Sequence, residues 1–173
     1  PHTSGLWLKD IAAEWGVDQQ EACRRLQPGG ACYFQMRDDD VERVLAHPLS
    51  MIGSDGLPHD QRPHPRLWGA FPRVLGHYRR ERGLFTLEQA VHKMTGLSAR
   101  NFRLAGRGLL REGFFADVTV FDPATVADAA TYDEPCLPSV GIREVFVNGQ
   151  RSGPEPVGTA GAGRLLHRAE RAG

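Results

Sequence analysis

Two short apolar segments, ACYFQM at 31–36 and LSMIGSDG at 49–56, flank a stretch with helical periodicity, and this order constrains the chain more than any other feature. The first is compact and aromatic, as a strand covered on both faces would be, and the second reads as another buried strand. Between them Asp39 and Glu42 stand at capping-box spacing, and Val41, Val44 and Leu45 supply an apolar stripe that ends near His47-Pro48. Strand, helix and strand in this order predict a βαβ unit, with parallel strands and a right-handed crossover. In sheets of this kind ligands gather beyond the carboxyl ends of the strands. Met36 and Asp55 both stand at that end.

The flanking regions read as helices first and strands later. Trp7, Leu8, Ile11, Ala12 and Trp15 recur at three- and four-residue spacing, so an amphipathic helix is expected over 3–15, with Thr3 or Ser4 as cap and Gly16 as terminator. Asp18 and Glu21 open a second short helix, stopped by Pro28-Gly29-Gly30. Beyond the Pro-rich loop, Pro72 reads as a first-turn residue of a helix closed by Gly83, and Thr86 with Gln89 caps the next, which breaks at Gly96. After Leu104 the period changes: a strand is expected over 117–121, and IREVFVNG alternates before the hairpin signal Asn148-Gly149. From Arg151 the chain is rich in Gly, Ala and Pro, with Leu165 and Leu166 as candidates for a brief closing strand.

Composition narrows the class of partner. Lys plus Arg equals Asp plus Glu at 21 each in 173 residues, so no net field favours nucleic acid or an anionic membrane. No apolar run approaches a membrane span and no signal peptide is recognisable at the start. Cys23, Cys32 and Cys136 are widely spaced without a C-x-x-C pair, which fits a reducing compartment; the expectation is cytoplasmic, with Cys23 and Cys32 as core thiols.

Among candidate functional residues Asp55 is the sharpest. Aspartate is disfavoured in strands and costly to bury unless paired or metal-bound, yet it stands between Ser54 and Gly56 where a ligand site is expected. The same pattern also fits an Asx turn or a cap. Arg66 lies in HPRLWG, where a guanidinium held by a Pro-rich loop could grip a carboxylate in bidentate fashion, although most arginines merely face solvent. Met36 fits a pocket wall or ordinary packing. His59 and His64 on a proline-broken loop define no common face for a metal and read as surface residues; Arg79-Arg80-Glu81-Arg82 reads as a solvated helix end.

The stretch from GSDG through HPRLWGAFPRVLGHY, followed by GFFADVTVFDP and IREVFVNGQ, closely resembles the carboxyl-terminal part of N-acyl-D-amino-acid deacylases, members of the amidohydrolase superfamily. The GFFADVTVFDP text alone is shared with dihydroorotases and hydantoinases, so a portion of such an enzyme is the alternative, as is a non-catalytic module. The resemblance implies an α/β fold: the last strands and helices of a TIM-like barrel over 1–104, part of a small β-sandwich over 105–150, and a tail over 151–173. It implies a zinc-dependent hydrolase acting on small N-acyl-D-amino acids. Asp55 would be the general base and acid and a possible metal ligand, Arg66 the carboxylate anchor, and Met36 part of the substrate pocket. The chain carries no H-x-H motif. The remaining metal ligands would therefore lie in a missing amino-terminal portion, with this chain inactive alone, its zinc absent or weakly held, and its exposed strand edges prone to self-association.

Overall fold

A computed structural model describes residues 3–57, 62–152 and 161–167. Helices α1 (Leu8–Glu14) and α2 (Gln19–Leu26) come first, followed by α3 (Asp38–Ala46) and α4 (Arg66–Arg73), which runs directly into a π-helical segment, Val74–Glu81. Helices α5 (Leu87–Met94) and α6 (Gly96–Phe102) precede three strands, β1 (Val118–Phe121), β2 (Ile142–Val147) and β3 (Gln150–Ser152), in one antiparallel sheet of order β1-β2-β3. None of the described helices is long and apolar enough to cross a membrane.

Local signals set some helix ends. Asp18 accepts the Glu21 N–H at 2.7 Å, and Thr86 and Gln89 close a reciprocal capping box. Gly83, at φ +64°, ends the π-helical segment as expected of a left-handed terminator. Other starts differ from expectation. Helix α1 begins after Trp7 without a side-chain cap, and α3 begins after Arg37, two residues before the expected cap Asp39. Three aspartates, Asp38, Asp39 and Asp40, then occupy the first turn of α3 and favour its N-terminus through the helix dipole.

Pro72 does not start a helix; it lies inside α4. A proline there has no N–H for the carbonyl four residues earlier, that of Trp68. Ser139 supplies the missing donor, its Oγ lying 3.0 Å from the Trp68 carbonyl oxygen. Immediately afterwards the helix widens, and the Arg82 N–H donates to His77 O, five residues back, at 2.9 Å. Ser139→Ala should cost about 1 kcal/mol in chemical denaturation, and clearly less in a Pro72→Ala background, where residue 72 regains the N–H.

The core forms where the π-helical segment, α5 and the 122–127 loop meet. Val74, Leu75, Phe85, Ala90 and Val126 are buried together, with Phe121 and Ile142 of the sheet packed against them. Two glycines make room for Val126. A β-carbon on Gly76 would lie 2.7 Å from the Val126 carbonyl oxygen, and one on Gly141 would lie 2.5 Å from the Val126 backbone N and Cα. The arginines at the end of the π-helical segment are not simply solvated. Arg80 donates to Val126 O at 2.7 Å, Arg79 to Pro123 O at 3.4 Å, and Arg82 pairs with Glu42 at 2.6 Å.

The small β unit takes the expected hairpin. Asn148 and Gly149 are both at positive φ, +49° and +80°, which matches the twist of the strands they join. Arg107 fastens it by pairing with Asp117, donating to Asn148 Oδ1 at 2.7 Å and lying over the Phe115 ring. Burial works to raise the Asp117 pKa, but the Asn148 N–H and the Arg107 guanidinium outweigh it and leave the carboxyl below its ordinary value.

The predicted βαβ unit is not formed. Among the described residues, segments 31–36 and 49–56 have no ladder partner, either in each other or in the antiparallel sheet, and Tyr33, Phe34 and Met36 are 61–67% exposed. A strand exists only through a ladder of hydrogen bonds to a neighbouring strand, and among the described residues these two segments join no such ladder. Cys32 shares this exposure, while Cys23 is half-buried, so neither is a core thiol. Leu165 and Leu166, 84% and 44% exposed, add no closing strand.

Candidate functional site

The loop that ends in Asp55 is anchored from behind by α5. The Lys93 ammonium, in a residue only 4% exposed, donates to the carbonyls of His47 and Ser50, and the Lys93 carbonyl accepts the Ile52 N–H at 3.4 Å. Burial lowers the Lys93 pKa. Beyond Ile52 the chain turns outward through Ser54, whose Oγ accepts the Gly56 N–H at 3.3 Å. Asp55 itself takes positive φ, +46°, a conformation that Asp and Asn tolerate better than most residues. Gly56 serves another purpose: a β-carbon there would lie 2.9 Å from Leu67 Cα, so the missing side chain lets the loop lie against α4.

Arg66 is the first residue of α4, and it reaches back across that contact. Its terminal nitrogen lies 2.7 Å from the Asp55 carboxylate, and its Nε donates to the Asp55 carbonyl at 2.8 Å. One guanidinium thus holds both backbone and side chain of the same aspartate. The carboxylate side chain remains 78% exposed and that of Arg66 39%, so both face a site still open to solvent. At such exposure the pair contributes at most about 1 kcal/mol to stability, and its value lies in geometry.

His64 supports this arrangement, contrary to its reading as a surface residue. Its Nδ1 accepts the Arg66 backbone N–H at 3.0 Å, and its Nε2 lies 3.2 Å from the Tyr132 hydroxyl. An Nδ1 that accepts carries no proton, so Nε2–H donates to Tyr132. Burial lowers the His64 pKa, the Arg66 charge adds to this, and Asp55 opposes both. The sequence signal for His64 was the position two residues before a helix start, between Pro63 and Pro65. Tyr132, 68 residues away, left no signal.

Of the three sequence-predicted residues the structure unites Asp55 and Arg66. Met36 is 67% exposed, and no polar contact links it to either. His59 lies outside the described residues. Among the described residues, no group of three or more His, Cys, Asp or Glu is placed to hold a metal ion.

A sequence profile of the amidohydrolase family matches residues 11–152, most of the chain. The chain belongs to the amidohydrolase family. The deacylase resemblance read from the residues is borne out by close amidohydrolase relatives. It is 57% identical to the D-aminoacylase of Alcaligenes xylosoxydans xylosoxydans over 97% of its own length and 35% of that protein's. It is 54% identical to the N-acyl-D-glutamate deacylase of the same organism, again over 97% of this chain but 34% of the relative. Among solved amidohydrolase structures, the N-acyl-D-glutamate deacylase of Bordetella bronchiseptica, complexed with zinc and a phosphonate inhibitor mimicking the tetrahedral intermediate, superposes with a TM-score of 0.87. The two are 61% identical, covering 90% of this chain and 33% of that one. The α/β fold class follows from these likenesses. The chain spans about a third of the length of the amidohydrolase relatives it matches.

Proposed function

We infer that this chain acts as the carboxyl-terminal portion of a zinc-dependent amidohydrolase that cleaves N-acyl-D-amino acids to a carboxylic acid and a D-amino acid. The observation that carries the reading is the Asp55–Arg66 pair, a carboxylate and a guanidinium in direct contact at an open loop, in a chain so close to D-aminoacylase. Residues 1–104 correspond in this reading to the last barrel strands and helices, 105–150 to part of the small β domain, and 151–173 to the tail. Segments 31–36 and 49–56 are then barrel strands awaiting their neighbours. The exposed Tyr33, Phe34, Met36, Leu49 and Met51 are apolar surface that the amino-terminal portion, or a second copy of the chain, would cover.

The chemistry assigned to this chain is proton transfer and substrate orientation. Asp55, open to solvent, takes a proton from the attacking water and returns it to the departing amine nitrogen. Arg66 has donors to spare beyond those on Asp55 and binds the α-carboxylate of the substrate. Met36 lines the side-chain pocket. With the carboxylate fixed at Arg66 and the amide at Asp55, only one configuration at the α-carbon directs the side chain into that pocket. Asp55 can offer a carboxylate oxygen to zinc, but a catalytic zinc takes three protein ligands and the described residues do not supply them. The metal centre is therefore assigned to the amino-terminal portion, and the isolated chain is without turnover.

The test is complementation. Mixing this chain with the amino-terminal two thirds of the D-aminoacylase relative should restore zinc-dependent hydrolysis of N-acyl-D-amino acids; a mixture that assembles yet stays inactive refutes the reading. In that assembly Arg66→Ala should raise KM for N-acyl-D-amino acids by about 100-fold, and leave KM for amides without a carboxylate unchanged, while kcat for both falls through the lost hold on Asp55. An unchanged KM for both would exclude the anchoring role.

A further inference from the structure

The hydrogen bonds around Arg66 extend beyond its partner. Its backbone N–H is one of the donors that the first turn of a helix leaves without an intrahelical acceptor, and Pro65, the residue before it, offers no side-chain acceptor. His64 Nδ1 fills this place at 3.0 Å, with the geometry an asparagine would have in an Asx turn. The imidazole is held in turn from its other nitrogen by the Tyr132 hydroxyl at 3.2 Å, and the two rings meet edge to face with centroids 5.2 Å apart. Tyr132 has contacts of its own: Arg62 donates to the carbonyl of the next residue, Asp133, at 2.8 Å, and the Phe34 ring lies 4.9 Å from the Tyr132 ring. The Thr131 hydroxyl accepts the Glu134 N–H at 2.9 Å and closes the turn that carries the tyrosine.

We propose that His64 and Tyr132 are positioning residues that aim Arg66, so that the grip on a substrate carboxylate is set by a hydrogen-bonded bridge between the 62–66 loop and the 131–134 turn. The proposal rests on the reading of Arg66 as carboxylate anchor. A guanidinium at the end of a long side chain gains from a fixed Cα frame, because freedom removed before binding is not lost on binding. The neutral tautomer with hydrogen on Nε2 is the form that serves both neighbours. A proton on Nδ1 would oppose the Arg66 N–H.

Nitrogen-15 NMR of this chain should show His64 with Nδ1 unprotonated and Nε2 protonated. His64→Ala should speed hydrogen exchange at the Arg66 amide by about tenfold or more, and His64→Asn, which keeps an acceptor two residues before Arg66, should restore most of the protection. In the complemented enzyme His64→Ala should raise KM for N-acyl-D-amino acids by about tenfold with kcat within about threefold, again recovered by His64→Asn. Tyr132→Phe removes one oxygen from a half-exposed ring and should raise KM by about threefold without unfolding. An unchanged KM in His64→Ala and Tyr132→Phe beside a raised KM in Arg66→Ala overturns the positioning role and leaves the anchor intact. An Arg66→Ala enzyme with unaltered KM overturns the anchor itself. Should His64→Ala fail to fold, unaltered His64 nitrogen shifts and KM in Tyr132→Phe suffice to refute the bridge.

Discussion

Asp55→Asn is expected to lower kcat for N-acyl-D-amino acids by about 10²–10⁴-fold in the complemented enzyme, the range that a positioned proton-transfer group contributes. The substitution changes the chemistry of the group while sparing its backbone and shape. Asparagine tolerates the +46° φ of this position, keeps the side-chain volume, and leaves intact the 2.8 Å bond from Arg66 Nε to the residue-55 carbonyl. What it removes is the ability to take and return a proton, together with the charge facing the Arg66 terminal nitrogen at 2.7 Å. Because that ion pair is exposed, its loss should shift the denaturation midpoint of the isolated chain very little. Turnover close to that of the unaltered enzyme would exclude Asp55 as base, and a parallel collapse of stability would show that the residue is structural.

The largest expected loss of stability comes from Gly141→Ala, about 3 kcal/mol or more in chemical denaturation of the chain. Two separate effects combine there. Gly141 has φ +77°, which costs a residue with a β-carbon about 1 kcal/mol, and that β-carbon would stand 2.5 Å from the backbone of the fully buried Val126. Backbone cannot swing aside as a side-chain tip can, and Val126 is held by its own N–H to Asp122 O and by Arg80 on its carbonyl. Gly83→Ala provides the comparison. Its φ is +64°, but nothing lies within 4 Å of the added carbon, so it should show the conformational cost alone, about 1 kcal/mol. Equal losses in the two variants would mean that the 122–127 segment yields, and that the core is looser than its burial implies.

How much of this was legible from residue order differs between the parts. The caps at Asp18 and Thr86, the stop at Gly83 and the hairpin at Asn148-Gly149 were all readable, because each depends on groups within a few residues of one another. Pro72 was misplaced for a non-local reason: a proline inside a helix is tolerated when another donor reaches the orphaned carbonyl, and Ser139 lies 71 residues beyond Trp68. The solvated reading of Arg79, Arg80 and Arg82 failed similarly, since the groups they hold come from the 122–127 loop and from α3.

The same distinction runs through the candidate site. Residue types and the deacylase-like wording of the 51–66 stretch were enough to single out Asp55 and Arg66 as a pair of interest. Their direct contact needed α4 to begin at Arg66 and Gly56 to admit Leu67, and the supporting bridge needed Tyr132 to be carried to His64 from a distant turn. Apolar patterning in 31–36 and 49–56 led to an expectation of two strands, and neither is formed. Helices and tight turns satisfy most of their hydrogen bonds locally, so residue order alone determined that they form and, where a capping box or a positive-φ glycine marks the end, where they stop or start. A strand, an ion pair across a loop and a tyrosine against a histidine each require a partner delivered by the rest of the chain, and only the tertiary structure could decide them.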